Sequence, residues 1–348
     1  MKKVLITAAG GGGTNNMIAT LNDDHYVFFG TNIDRFKAAC SQTERTYLVP
    51  RAVEEEAYIS AINQVIEKEN IDLVVPNSDI EVEVLAKNRE KIKSRLFLPS
   101  YEAIRICQDK MLMHDFCLEN NIHVARAIPV HNMDDLEGLE EKLGPFPLWC
   151  RIRSGSGSKH TSKVYSVEDA RHFIQHAITA YHVELSEFII SELLPGEDYL
   201  VMTTWQDGKL ILSKMAHRMH YFKKQGESPP YVIKTYFDQE LLDFAIETAH
   251  KFQKHPHGNY NFDLKRDTEG RLALTEINPG RFYYNMPMFN LSKPYNAFQI
   301  FLKSAFNELD PTMDYPLLKN EEKYFIRDMD NWPSVLTPNE IEERISKL

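Results

Sequence analysis

The sequence predicts an α/β domain followed by a larger α+β unit with largely antiparallel sheets. Two observations carry this. Residues 1–100 alternate short β-branched runs with helical patterns, whereas beyond residue 108 strand-like runs follow one another at hairpin spacing. Val4, Leu5 and Ile6 open the first strand, residues 26–29 and 47–49 supply two more, and residues 71–75 a fourth before Pro76. Between the third and fourth, Ala57, Ile59, Ile62, Val65 and Ile66 recur at helical intervals and predict a crossover helix. A doubly wound parallel sheet over residues 1–107 is expected.

The second unit begins at Asp109-Lys110, where Met111, Met113, Phe116 and Cys117 pattern a helix. Strands are expected at 125–130 and 146–152, then at 188–194, 199–205 and 209–214. Asp207-Gly208 joins the last two as a hairpin signal. A helix over 239–253 precedes two more strands, 260–265 and 272–277, connected through Gly270. The expected boundaries are 108–310 for this unit, with lobes 108–185 and 186–310, and 311–348 for a proline-broken C-terminal extension. In that extension residues 324–327 read as a strand, and Thr337-Pro338-Asn339-Glu340 starts a final helix as a capping box.

Composition limits the function. The 348 residues carry 40 Lys plus Arg against 50 Asp plus Glu, a net charge of −10 that disfavours a general nucleic-acid binder. The four cysteines show no Cys-x-x-Cys spacing and read as reduced thiols. No apolar run approaches the ~20 residues of a membrane span, so the expectation is a cytoplasmic protein with no membrane partner. Oligomeric state stays open, a homodimer included.

Gly10 to Gly13 follow the first strand and open a helix, the place where bare amides cradle anions. No register completes Gly-x-Gly-x-x-Gly, because Asn15 and Asn16 occupy the third glycine position, and no Lys-Ser or Lys-Thr follows at P-loop spacing. The run is expected to be a close-approach loop.

A stronger signal is spread over the second unit. Glu276 and Asn278 lie two apart on one strand and share a face, and Asp263 on the preceding strand is placed to face them. Two carboxylates and an amide oxygen suit Mg²⁺ (or Mn²⁺), which keeps waters and substrate phosphates as its other ligands. Arg281 follows within three residues.

In these residues the chain resembles the ATP-grasp superfamily over nearly the whole of 1–310. The match implies a Rossmann-like pre-ATP-grasp domain followed by a two-lobed ATP-grasp fold. It implies two Mg²⁺ held by Asp263, Glu276 and Asn278 between the phosphates of ATP. Lys110 in Asp109-Lys110, and Arg151 with the Ser156-Gly157-Ser158 loop, would bind phosphates. Glu192, Leu193 and Leu194 would read adenine, and Asp198 the ribose hydroxyls. Many relatives carry lysine where this chain has Arg151; the carbamoyl-phosphate synthase large subunit is similar to it in using arginine. Lys214 ends a strand and is expected at the nucleotide, and the basic residues that follow it, His217, Arg218, His220, Lys223 and Lys224, are expected to form a loop closing on the triphosphate.

The resemblance implies a carboxylate–amine (or ammonia) ligase acting on small molecules through an acyl phosphate and releasing ADP and phosphate. Arg281 and Arg151 would stabilise the charge that develops. Phosphorylation of bicarbonate or carbamate, in the manner of carbamoyl-phosphate synthase, and a non-catalytic ATP-binding module are the alternatives. Substrate contacts are expected from Asn15, Asn16, Asn77, Ser78 and Asp79, at the C-terminal ends of the first domain's strands, and from Arg153.

Overall fold

The computed structural model describes residues 1–21, 23–154, 160–223, 228–310, 322–327 and 342–346. Five strands come first: β1 (Lys2–Ile6), β2 (Tyr26–Asn32), β3 (Arg45–Leu48), β4 (Leu73–Val75) and β5 (Arg95–Leu96). They are followed by β6 (Ala127–Pro129), β7 (Leu148–Ile152), β8 (Thr161–Val164) and β9 (Phe188–Glu192). Then come β10 (Asp198–Gln206), β11 (Lys209–Tyr221), β12 (Pro230–Tyr236), β13 (Gly258–Arg266), β14 (Leu272–Pro279), β15 (Tyr324–Ile326) and β16 (Ile345–Ser346).

The first sheet is parallel, in the order β16-β3-β2-β1-β4-β5. Its central strand is apolar at successive positions because both faces are covered. Leu5 packs in the cluster of the Glu55–Glu69 helix, while Val4 and Ile6 face the opposite way, into a cluster with Phe298 and Phe301 of the Ala297–Ala305 helix. The chain leaves β1 for β2 on one side and returns to β4 on the other. The loops after β1 and β4 therefore flank a topological switch point.

The small sheet, β6-β9-β7-β8, is antiparallel and covered by the Val167–Tyr181 helix. The large sheet, β14-β13-β10-β11-β12-β15, is antiparallel throughout. One face buries Tyr199, Val201, Trp205, Phe262 and Leu264 with residues of the Gln239–Phe252 helix. On the other face, Leu200, Met202 and Leu212 are buried with residues of the C-terminal helices.

One sequence expectation changes here. Residues 215–221 continue β11 instead of forming a loop, because Arg218 pairs in register with Asp198 on β10 and its charge is met inside the sheet. The expected strand at 324–327 is β15 on the sheet edge. The capping box at 337–340 lies outside the described residues.

Candidate functional site

The two antiparallel sheets meet at an open cleft of about 510 Å³, lined from β7, β9, β10, β11, β13 and β14 and by the first turn of the Lys110–Glu119 helix. Hairpin pairing of β13 with β14 sets Asp263 directly across from Glu276 and Asn261 across from Asn278. Arg218 Nη2 donates to Asp263 Oδ1 at 2.5 Å, Tyr283 OH to the same oxygen at 2.9 Å, and Asn278 Nδ2 to Asp263 Oδ2 at 3.3 Å. Arg281 Nη2 donates to Asn278 Oδ1. Burial drives both acids up. At Glu276 the cations Lys110, Arg151, Arg281 and Arg218 outweigh burial and hold the carboxyl below its ordinary range. Asp263 ends raised, since burial and the neighbouring Glu276 and Asp198 together exceed the pull of Arg218.

These oxygens fit a hard divalent cation: two facing acids, one amide oxygen and an open cleft for phosphate oxygens and water. No group of three or more His, Cys, Asp or Glu side chains with metal-site geometry occurs among the described residues.

Lys110 is only 8 % exposed, with Nζ 3.9 Å from Glu276 Oε1. Its placement comes from its neighbour: Asp109 caps the helix by accepting from Met111 N and Leu112 N, and also receives Arg153 Nη2 at 2.8 Å. Arg153 is thereby committed to this cap instead of standing free as a substrate contact, and its carbonyl accepts from Lys110 N. Arg151 on β7 lines the cleft, and its buried Nε has no hydrogen-bond partner. Glu192, Leu193, Leu194 and Asp198 line the cleft as well. Glu192 meets its need for a donor through Arg126, whose N and Nη2 both lie 2.8 Å from it. Asp198 is held by Arg218 Nη1 at 2.8 Å and Tyr221 OH at 2.6 Å.

Lys214 is not brought into this cleft. It is fully buried on β11, donating through Nζ to Ser292 O at 2.8 Å and Ser292 Oγ at 3.2 Å. Ser156, Gly157, Ser158 and Lys224 lie outside the described residues.

At the switch point of the parallel sheet the chain fills its own crevice. Asn77 donates to Thr14 Oγ1 at 3.0 Å and accepts from Phe282 N at 3.0 Å. A Cβ at Gly13 would stand 3.3 Å from Tyr284 Cα, and one at Gly10 only 1.7 Å from Lys37 O. The glycine run is thus packed against the chain itself. Asn15 bridges Cys40 O and Gln42 N, and Ser78 donates to the buried Glu81. Asn15, Asn16, Asn77 and Ser78 line neither this cleft nor a second cavity of about 530 Å³. Asp79 does line the second cavity, which shares Glu276 and Asn278 with the cleft, and it accepts from Arg281 Nε.

A family model, the PylC-like N-terminal domain, matches residues 4–95. No curated protein matches the sequence significantly. Among solved structures, the L-amino acid ligase from Bacillus licheniformis superposes with a TM-score of 0.68 at 15% identity, over 89% of this chain and 76% of that one. N5-carboxyaminoimidazole synthetase from Staphylococcus aureus complexed with ADP gives 0.68 at 15%, over 90% and 79%. Biotin carboxylase from Campylobacter jejuni gives 0.67 at 15%, over 89% and 72%. The chain has an ATP-grasp fold behind a pre-ATP-grasp domain.

Within this ATP-grasp fold, sequence reasoning missed the donors that organise the cleft acids. Arg126 and Tyr283 gave no local signal, since their partners lie 66 and 20 residues away. Arg218 reads in the sequence as a basic loop residue; the alternation of β11 opposite Asp198 is the signal that places it on the strand.

Proposed function

We propose that the protein is a Mg²⁺- and ATP-dependent ligase joining a small-molecule carboxylate to an amine or ammonia. The observation that carries this is the convergence of Lys110, Arg151 and Arg281 on the Asp263, Glu276 and Asn278 edge of one cleft. Asp263, Glu276 and Asn278 would hold Mg²⁺, and Lys110 and Arg151 the phosphates. Glu192 with the backbone of Leu193 and Leu194 would border the base, and Asp198 the ribose. When bound, Mg-ATP supplies the phosphoryl group that turns a carboxylate into an acyl phosphate, an electrophile that an amine attacks with release of phosphate.

The residues act by positioning and charge neutralisation. Arg281, steadied by Asp79, and Arg151 would face the charge developing on the transferred group. The second cavity, sharing Glu276 and Asn278 with the cleft, is where the acceptor would approach. The test is ADP release from Mg-ATP with pooled carboxylates, with and without pooled amines, plus hydroxylamine to trap acyl phosphate as hydroxamate. Acceptor-dependent ADP and hydroxamate support a ligase. ADP release with bicarbonate alone favours carbamoyl-phosphate chemistry, and tight nucleotide binding without turnover in any pool favours a binding module.

A further inference from the structure

Arg218 is a cleft cation to which the proposed reaction assigns no task, yet its placement is the most constrained. Its side chain is 13 % exposed and its planar fork spans two carboxylates, Nη1 to Asp198 Oδ1 at 2.8 Å and Nη2 to Asp263 Oδ1 at 2.5 Å. Two phenols complete the arrangement: Tyr221 OH donates to Asp198 at 2.6 Å and Tyr283 OH to Asp263 at 2.9 Å. A carboxylate offers about four lone-pair sites. On Asp263, Arg218 and Tyr283 use Oδ1 and Asn278 Nδ2 approaches Oδ2, which leaves little of that acid for a metal. Across the hairpin, no hydrogen bond among the described residues falls on the Glu276 carboxylate, and the nearest cation, Lys110 Nζ, stands 3.9 Å away. The two facing acids are therefore unequal: one already has a fixed cation, and the other is open to the cleft.

We propose that the cleft takes one divalent cation with its nucleotide instead of two, held on the Glu276 side, and that the Arg218 guanidinium supplies the second positive charge as a permanent part of the protein. A second ion on Asp263 would have to displace a buried, doubly paired guanidinium and leave Asp198 with Tyr221 and, at 3.9 Å, Lys265. The inference rests on the nucleotide reading above and departs from it in one respect: Asp263, placed there among the Mg²⁺ ligands, serves the Arg218 guanidinium instead, so that one ion replaces the two that the sequence resemblance implies.

The test is equilibrium dialysis of the full chain against Mn²⁺ and a non-hydrolysable ATP analogue, counting retained metal and nucleotide per chain. The expected result is about one Mn²⁺ per bound nucleotide. Glu276→Gln should lose that ion and Asp263→Asn keep it. Arg218→Met should raise the count to about two, whereas Arg218→Lys, which keeps the charge, should hold it at about one. If Arg218→Met fails to fold, by far-UV circular dichroism, the contrast between Glu276→Gln and Asp263→Asn carries the decision. Two ions per nucleotide in the unmodified protein, loss of the ion in Asp263→Asn, or a count unchanged at one in folded Arg218→Met overturns the inference and leaves nucleotide binding standing. Retention of no nucleotide overturns both.

Discussion

Lys214 gives the most quantitative test, because the pattern of basic residues in the sequence and the geometry assign it opposite roles. Its ammonium is 1 % exposed on β11, with Ser292 as its hydrogen-bond partner and no carboxylate within ion-pair distance among the described residues. Burial pulls its pKa from 10.5 down to about 7. Between those values the unfolded chain binds a proton at Lys214 that the folded chain does not, so stability rises with pH across that window. Below pH ~7 both states are protonated, and the folded state carries the full cost of an ammonium in the core. At about 1.36 kcal/mol per unit, the contribution changes by roughly 4 kcal/mol between pH 6 and pH 10.

Lys214→Met keeps the length and apolar stem, removes the titration, and gives up two hydrogen bonds worth about 1 kcal/mol each. Urea unfolding of both proteins from pH 6 to 10 should show the variant gaining on the parent toward acid by roughly that 4 kcal/mol, with other titrating groups cancelling in the difference. Parallel stability curves would refute the buried-amine assignment. Mg-nucleotide affinity should be unchanged, since Lys214 does not line the cleft. A tenfold loss at equal stability would return Lys214 to the phosphates.

Three further outcomes follow from the same contacts. Glu276→Ala should lower Mg-nucleotide affinity and ADP release by about tenfold or more, from the loss of one charge-assisted ligand; equal ADP release by variant and parent would sink the metal assignment. Asp79→Ala strips Arg281 of its carboxylate partner while Asn278 stays in place, and thermal or urea unfolding should show a loss of about 2–4 kcal/mol, because a buried guanidinium is left under-compensated. Gly10→Ala should destabilise by more than about 3 kcal/mol, combining positive φ with a clash on Lys37 O, whereas Gly270→Ala, at a similar φ in open space, should cost only about 1 kcal/mol.

Much of the fold is legible in the sequence because its signals are local. Val4-Leu5-Ile6 reads as a strand buried on both faces, Asp207-Gly208 adopts positive φ at both positions of its hairpin, and Asp263 faces Glu276 because a short connection fixes the register. What escaped is what depends on distant partners. The sequence resemblance gives Glu192 to adenine, and nothing in its neighbourhood says that Arg126 donates to it. The glycine run marks close approach, yet only the assembled chain shows that the Lys37 carbonyl and Tyr284 are what approach. Basic residues after Lys214 look like a loop when their charges are assumed to need water. Asp198 opposite Arg218 removes that need and lets the strand continue.

The same bookkeeping of charges explains how an acidic chain can offer a polyphosphate site. Several basic side chains in or beside the cleft are committed to acids that hold the architecture: Arg153 to Asp109, Arg281 to Asp79, and Arg218 to Asp198 and Asp263. Arg151 is different, because it is drawn toward Glu276 without a short ion pair to it and keeps an unsatisfied buried Nε, and Lys110 Nζ lies 3.9 Å from the same carboxylate. A desolvated guanidinium with an unmet donor is costly unless an anion completes it. The local excess of positive charge therefore sits where the open acid also sits, an arrangement that favours a ligand carrying both signs, a phosphate chain with its divalent cation, over either ion alone. The net charge of −10 then works at longer range, disfavouring extended polyanions while the cleft accepts a short one.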